Sequence, residues 1–159
     1  MGIEIERKFL VRNDAWKDRA GEGLPCRQGY LLSDGERTLR VRIIGSRAYL
    51  TVKGPTEGCT RMEFEYEIPA DDAEILLSLC ASEIEKVRYH IQDNGNRWDL
   101  DVFGGANRGL ILAEIELRSE EQPFSLPDWI GEEVTGDPRY HNACLARNPF
   151  SGWEQRAQG

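Results

Sequence analysis

Six short segments of the chain place two charges of the same sign two residues apart, with apolar residues between them. These pairs are Glu4/Glu6, Arg40/Arg42, Glu63/Glu65, Lys86/Arg88, Asp99/Asp101 and Glu114/Glu116. Because alternate side chains of a β-strand point to the same face, each pair predicts a strand with one charged face and one apolar face. Like charges on one face repel each other and add nothing to sheet stability. Facing strands of opposite sign, metal ions or a charged ligand must therefore compensate them.

The same alternation predicts an antiparallel α+β domain whose sheet closes into a barrel. Period-two segments occur at residues 3–11, 28–32, 38–44, 48–53, 61–68, 84–92, 97–103 and 110–118, and turn residues separate them. Closing the sheet turns the charged faces into a polar lumen and leaves the apolar faces outside, under covering helices. One helix is predicted over 71–81, with Asp71 and Glu74 as a capping box, and a last one over 137–147.

Size and composition limit the class of protein. The chain has 159 residues, the length of one domain, and a formal net charge of −8. An acidic chain lacks the basic footprint of a nucleic-acid-binding protein, and no apolar run approaches the ~20 residues that span a membrane. The N-terminus carries charge at once, without the apolar core of a signal peptide. The four cysteines are scattered, which favours reduced thiols and a cytoplasmic location.

The charged faces divide into two chemical sets. Carboxylate pairs suit hard divalent cations such as Mg²⁺ or Mn²⁺, and basic residues suit phosphate oxygens, which arginine can bind in bidentate fashion. The bases are Lys8, Arg40, Arg42, Lys53, Lys86 and Arg88. A purely anionic ligand would not need so many carboxylates, and a metal-storing site would not need six bases. One lumen with both sets predicts a metal–polyphosphate complex as its ligand.

The segment Glu4-Ile5-Glu6-Arg7-Lys8 resembles the ExExK signature of the CYTH superfamily, the triphosphate tunnel metalloenzymes. Further blocks resemble the family in the same order: TLRVR at 38–42, TVKG at 51–54, RMEFEYEI at 61–68, KVR at 86–88, WDLDVF at 98–103, AEIEL at 113–117 and EVTGDPRY at 133–140. The likeness spans residues 1–147, which we interpret as one CYTH domain, with 148–159 as a C-terminal tail. It implies an antiparallel tunnel of about eight strands and chemistry at a triphosphate with a divalent metal.

Carried over residue by residue, the resemblance assigns roles to the charged side chains. It implies that phosphates are held by Lys8, Arg40, Arg42, Lys53, Lys86 and Arg88, and that metal is bound by Glu4, Glu6, Asp101, Glu114 and Glu116. The catalytic set it implies is Glu4, Glu6, Lys8, Glu63 and Glu65. In that set, Lys8 stabilises charge near the scissile bridge, while Glu63 and Glu65 help to place a second metal or the attacking water.

Four further residues receive looser interpretations. Asp99 matches a more variable position of the family, and Arg61 contacts either a phosphate or solvent. We interpret His90 as an ordinary strand-end histidine. We interpret His141 as a surface residue of the last helix, and the alternative is that this helix plugs or gates the tunnel.

The resemblance leaves several functions open, with hydrolysis of inorganic triphosphate to pyrophosphate and phosphate first. A class IV-type adenylyl cyclase shares the fold, but such cyclases typically carry a His-Phe pair upstream of ExExK, and only Met1-Gly2-Ile3 precedes Glu4 here. Hydrolysis of thiamine or nucleoside triphosphates would need room for an organic group. A non-catalytic polyphosphate-binding module is the alternative from another class, although such a module would usually have lost some of these carboxylates. A homodimer is one further option, because small barrels with exposed Tyr and Trp often pair.

Overall fold

A computed structural model describes residues 2–153 of the chain. Its nine strands are β1 (Gly2–Val11), β2 (Leu24–Ser33), β3 (Thr38–Ile44), β4 (Arg47–Glu57), β5 (Thr60–Ile68), β6 (Glu83–Asp93), β7 (Asn96–Phe103), β8 (Ile111–Glu116) and β9 (Ile130–Glu133). The α-helices are α1 (Ala70–Ser78) and α2 (Asn142–Arg147), and the 3₁₀ turns are Ala15–Asp18, Gly105–Asn107 and Pro138–Tyr140. Each predicted strand segment overlaps one of β1 to β8, whereas β9 has no counterpart in the sequence-based prediction.

Eight of these strands close into an antiparallel barrel. The order around the sheet is β5-β4-β3-β2-β6-β7-β8-β1, and β1 returns to pair with β5. One edge of β1 pairs with β8. Its other edge is shared, because residues 2–5 pair with β5 and residues 9–11 pair with the short strand β9. The predicted closed eight-stranded α+β barrel is confirmed, with β9 as an additional strand.

The apolar strand faces lie outside the barrel, where short helices and aromatic loop residues cover them. Ala73 and Leu77 of α1 pack against buried residues of β3 and β4. A second cluster surrounds Trp98, which is fully buried and makes edge contacts with Phe9 and Trp129. Loops therefore cover much of the apolar outer face of the barrel, which the strand pattern alone had predicted to be covered by helices.

The start of α1 differs from the prediction by one residue. The helix begins at Ala70, because Pro69 takes the N-cap position with φ −59° and ψ 139°, and the Pro69 carbonyl accepts the Ala73 N–H. No side chain caps this helix, so the predicted capping box of Asp71 and Glu74 is wrong. A proline at this position already fixes the extended backbone that a capping side chain otherwise favours.

The C-terminal helix is shorter than predicted. His141 has extended backbone, with φ −70° and ψ 135°, and it separates the 3₁₀ turn at Pro138–Tyr140 from α2. Beyond α2, Phe150 and Trp153 pack against the same apolar cluster as Leu145. The predicted boundary after residue 147 stays a prediction, and residues 154–159 of the tail lie outside the described residues. Within residues 2–153, no helix combines the length and the apolar character needed to cross a membrane.

Candidate active site

The barrel encloses a cavity of about 650 Å³, a size typical of small-molecule sites. The residues singled out from the sequence that line it are Glu4, Glu6, Lys8, Arg40, Arg42, Lys53, Arg61, Glu63, Glu65, Arg88, Asp99, Glu114, Glu116 and His141. Two residues of the predicted set, Lys86 and Asp101, are buried but do not line the cavity. His90 is exposed and also lies outside the lining.

Strand register gathers carboxylates on one part of the wall. Glu6 lies directly opposite Glu116 in the β1–β8 pair, and Glu114 lies opposite Asp99 in the β7–β8 pair. Side chains at directly opposed positions have Cβ atoms about 4.5–5.5 Å apart, so these like charges repel. The nearby lysines bind other carboxylates, so Glu6 and Glu116 have no salt-bridge partner among the described residues.

Burial and like charge raise the pKa values of three of these carboxyls. Burial raises the pKa of Glu6 well above its ordinary value, and the charges of Glu114 and Glu4 raise it further. Burial also raises the pKa of Glu4, although Lys53 opposes the shift. The pKa of Glu116 is raised by burial and then by Glu4 and Asp99. A cation among these carboxylates would remove the repulsion.

Lys53 connects this acidic wall to β5. Its Nζ lies 3.2 Å from each carboxylate oxygen of Glu4 and 3.3 Å from Glu63 Oε2. Burial opposes ionisation of Glu63, but the hydrogen bond with Glu4 and the charge of Lys53 outweigh it and lower the pKa of Glu63. Glu63 therefore stays ionised beside Glu4, whose pKa is raised.

Arginines from β3 and β6 gather on another part of the wall. Arg40 Nη2 donates to Thr51 Oγ1 at 3.2 Å and to Glu65 Oε2 at 3.3 Å, while its buried Nε has no hydrogen-bond partner within residues 2–153. Burial lowers the pKa of Arg42, and the charges of Arg40 and Arg88 lower it further. The Arg42 guanidinium is therefore repelled by the other two. Such a cluster suits an anion with several oxygens.

Asp101 binds two bases at this wall. Its carboxylate accepts hydrogen bonds from Lys86 Nζ at 2.8 Å, from Arg88 Nε at 2.8 Å and from Arg88 Nη2 at 2.9 Å. Burial opposes ionisation, but Arg88 and Lys86 outweigh it and hold the pKa of Asp101 far below its usual range. Burial lowers the pKa of Lys86 to about 8, although Asp101 opposes this shift. The predicted role of Asp101 as a metal ligand stays a prediction, because here both oxygens serve these bases.

The hydroxyl of Thr51 supports the arginine cluster from β4, and its removal should destabilise the protein. Thr51 is fully buried, and it donates to Glu65 Oε2 at 2.9 Å while accepting from Arg40. We expect Thr51→Val to lower the free energy of unfolding by about 1–3 kcal/mol, because Arg40 and Glu65 each lose a partner. Denaturant unfolding measures this loss, and Thr51→Ser, which keeps the hydroxyl, is the matched control. A valine variant as stable as the serine variant would contradict the expectation.

The segment around His141 forms part of the cavity wall. Lys8 Nζ donates to the Tyr140 carbonyl at 3.1 Å, and Lys86 Nζ donates to Asn142 Oδ1 at 3.2 Å. His141 lines the cavity, where burial and then the charge of Lys8 lower its pKa. The interpretation of His141 as a surface residue is therefore wrong. Whether α2 gates the tunnel stays a prediction.

Several wall residues lie outside the charge pattern of the strands. Tyr30, Thr135 and Asn142 line the cavity, as does Arg147 of α2. Tyr30 follows the period-two alternation of β2, so the strand pattern could have predicted that it faces the lumen. The other three reach the cavity only because the C-terminal segment folds back onto the barrel, and no local pattern signals that return.

The residues present fit a hard divalent cation. The carboxylates of Glu4, Glu6, Glu114 and Glu116 line one cavity and offer only oxygen ligands, which Mg²⁺ and Mn²⁺ accept. Within residues 2–153, no three His, Cys, Asp or Glu side chains are grouped closely enough to form a ready-made metal shell. Lys53 and Lys8 instead bind Glu4 and Glu114 at 3.2 Å and 3.4 Å. Binding of a cation would require these carboxylates to turn from the lysines toward the ion.

Comparison with known proteins agrees with the tunnel and its charged lining. The family model of the CYTH domain matches residues 2–141 of this chain. An inorganic triphosphatase from Acetivibrio thermocellus is 50% identical over 157 residues, which cover 98% of this chain and 100% of that protein. An inorganic triphosphatase from Nitrosomonas europaea is 40% identical, covering 90% of this chain and 96% of that protein. A solved structure described as an inorganic triphosphatase has a TM-score of 0.64 at 39% identity, covering 90% of this chain and 93% of that one. The chain therefore belongs to the CYTH domain family.

Proposed function

We propose that this protein hydrolyses inorganic triphosphate to pyrophosphate and phosphate inside its tunnel, with the help of a divalent cation. The observation that carries the proposal is the division of one enclosed cavity into a carboxylate wall around Glu6 and Glu116 and an arginine wall of Arg40, Arg42 and Arg88. The relatives at 50% and 40% identity, both named inorganic triphosphatase, support it.

The basic residues are assigned to the phosphate groups. Arg40 offers a buried Nε without a partner in the described chain, and Arg42 and Arg88 line the same cavity. Lys53 and Lys8 line the same cavity. Lys86 does not line it, so we assign Lys86 to holding Asp101 and Arg88 in place rather than to direct phosphate contact.

The carboxylates are assigned to the cation, Mg²⁺ or Mn²⁺. Glu4, Glu6 and Glu116 would hold it, with Glu114 close by, because these residues share the wall and three of them have pKa values raised by burial and crowding. When bound, the ion supplies positive charge that neutralises phosphate oxygens and increases the acidity of a bound water. Oxygen ligands accept either ion, so activity measurements must decide between them.

The reaction joins the oxygen of a water molecule to the terminal phosphorus and breaks the bond between that phosphorus and its bridging oxygen. The electron pair of the broken bond stays on pyrophosphate, where we assign Lys8 to stabilise the developing charge. Glu63 and Glu65 are assigned to orient the attacking water and to accept its proton. The lowered pKa of Glu63 supports the orienting part of this assignment, because an ionised carboxylate accepts a hydrogen bond from water.

Phosphate release from purified protein tests the proposal. Tripolyphosphate, ATP and thiamine triphosphate are compared, each with Mg²⁺, with Mn²⁺ and with chelator. We expect tripolyphosphate to be hydrolysed far faster than the two organic substrates, and chelator to abolish the reaction because the phosphates and carboxylates then repel each other. Cyclic AMP formed from ATP would contradict the proposal in favour of a cyclase. Tight binding without turnover would indicate a binding module. A cytoplasmic location and a homodimer remain predictions.

A further inference from the structure

Arg42 is set apart by its partner from the other five bases of the predicted phosphate-binding set. Each of the others binds a carboxylate: Lys8 binds Glu114, Arg40 binds Glu65, Lys53 binds Glu4 and Glu63, and Lys86 and Arg88 bind Asp101. Arg42 has no carboxylate at salt-bridge distance among residues 2–153. Its Nε instead donates to the side-chain oxygen of Gln28 at 3.0 Å. An uncharged residue therefore occupies the position that an acid occupies beside each of those five bases.

Gln28 is held firmly enough to orient its partner. It is 0% exposed, and it lies directly opposite Arg42 in the β2–β3 pair. Its amide nitrogen donates to the Tyr30 hydroxyl at 3.1 Å, which leaves the amide oxygen facing the guanidinium. Arginine has no acceptor atom, so only this orientation of the amide serves both neighbours. Arg42 thus determines which end of Gln28 it meets, and Tyr30, which lines the cavity, binds the other end.

A neutral partner has a specific electrostatic consequence. A buried carboxylate at position 28 would cancel most of the charge of Arg42, because Coulomb interactions are strong away from water. A glutamine oxygen fixes the direction of the guanidinium and leaves its full charge in place. The charges of Arg40 and Arg88 repel that of Arg42, and an anion bound among them would relieve this repulsion. The positive charge of Arg42 therefore attracts a phosphate group to this part of the wall.

We propose that Gln28 is a positioning residue that orients Arg42 through a neutral hydrogen bond, so that the uncancelled charge of Arg42 binds a phosphoryl group of the substrate. This inference rests on the proposed function, because it needs a polyphosphate in the tunnel. It assigns a role to a buried residue that does not itself line the cavity.

Substitution of Gln28 by an acid of nearly identical shape tests the proposal. Binding of tripolyphosphate is measured by calorimetry in the presence of chelator, and kcat, KM and thermal unfolding are measured with metal. We expect Gln28→Glu to weaken binding and raise KM by at least about tenfold, because a charge-assisted phosphate contact is lost. Its melting temperature should stay at or above the wild-type value, since a new buried ion pair forms. The same substitution at exposed Gln92 of β6 is the control and should change neither quantity.

A second variant covers the case in which Gln28→Glu does not fold. Gln28→Met keeps the volume but removes the acceptor, so we expect weaker binding even at temperatures well below its melting temperature, where the variant is fully folded. A purely structural role predicts wild-type affinity for either variant at any temperature at which it is fully folded. That result would overturn the proposal while leaving the triphosphatase assignment intact. Wild-type protein that neither binds nor hydrolyses tripolyphosphate would overturn both.

Discussion

Replacement of Glu6 by glutamine is expected to abolish hydrolysis while stabilising the protein in the absence of metal. Glu6 lies opposite Glu116 and has no basic partner among the described residues, so its charge contributes repulsion to the folded state. Activity should fall about 100-fold or more, as is typical when a group that organises transition-state charge is lost. The free energy of unfolding should rise by up to about 1 kcal/mol, the scale of one cross-strand charge pair. Opposite changes in activity and stability are the mark of a residue retained for function.

The sign of the stability effect follows from proton binding. The pKa of Glu6 in the folded protein lies well above the ordinary 4.5, so the unfolded chain loses this proton more readily. As the pH rises above the ordinary value, ionisable Glu6 therefore increasingly favours the unfolded state, the penalty stays in full above the folded-state pKa, and glutamine removes it. The gain should be present at neutral pH and should vanish as the pH falls below the ordinary value. Glu116→Gln should behave alike, and Glu85→Gln on the exposed side of β6 should change neither property. A less stable or fully active Glu6→Gln protein would contradict the account.

Asp101→Asn is expected to cause a large loss of stability. Asp101 is 1% exposed and holds Lys86 and Arg88 by three hydrogen bonds of 2.8–2.9 Å. Removal of its charge leaves buried Lys86 without a counter-ion and buried Arg88 with only the distant Asp99, and breaking a buried ion pair typically destabilises a protein by about 3–5 kcal/mol. Urea unfolding at neutral pH measures the loss.

The matched control for Asp101 is its neighbour on the same strand. Asp99 lies 3.8 Å from Arg88, and its closer partners, His90 and Arg97, are exposed, so Asp99→Asn should change stability far less. If Asp101→Asn were nearly as stable as the wild type but needed much more metal for half-maximal activity, Asp101 would act as a metal ligand. The experiment thus decides whether Asp101 binds metal, as the family resemblance implies, or holds Lys86 and Arg88, as its contacts indicate.

The barrel was predictable because side-chain parity is a local property. The alternation of Glu4, Glu6 and Lys8 assigns one face of β1 to the lumen without any knowledge of its neighbours, and the same holds for Arg40 and Arg42 of β3. Which charges meet depends instead on the register between strands. Asp101 and Glu114 have the same pattern in sequence, yet Asp101 is held by two bases away from the cavity while Glu114 lines it.

Other parts of the site have no local signal. The strand β9 is only four residues long and forms because β1 leaves part of one edge unpaired. His141 and Asn142 reach the cavity through packing of α2 and the following aromatic residues against the barrel. Gln28 carries no charge and so stands outside the pattern of paired charges, even though its neutrality is the property that matters.

The most direct test of the triphosphatase assignment is a competition followed by phosphorus NMR. Tripolyphosphate and ATP are mixed at equal concentration with the protein and Mg²⁺, and the products are resolved over time. We expect tripolyphosphate to disappear first and to yield pyrophosphate and phosphate in equal amounts, while ATP persists and no cyclic AMP forms. Preferential loss of ATP, with or without cyclic AMP, would contradict the assignment, as would an unchanged mixture in which the protein only binds the triphosphate.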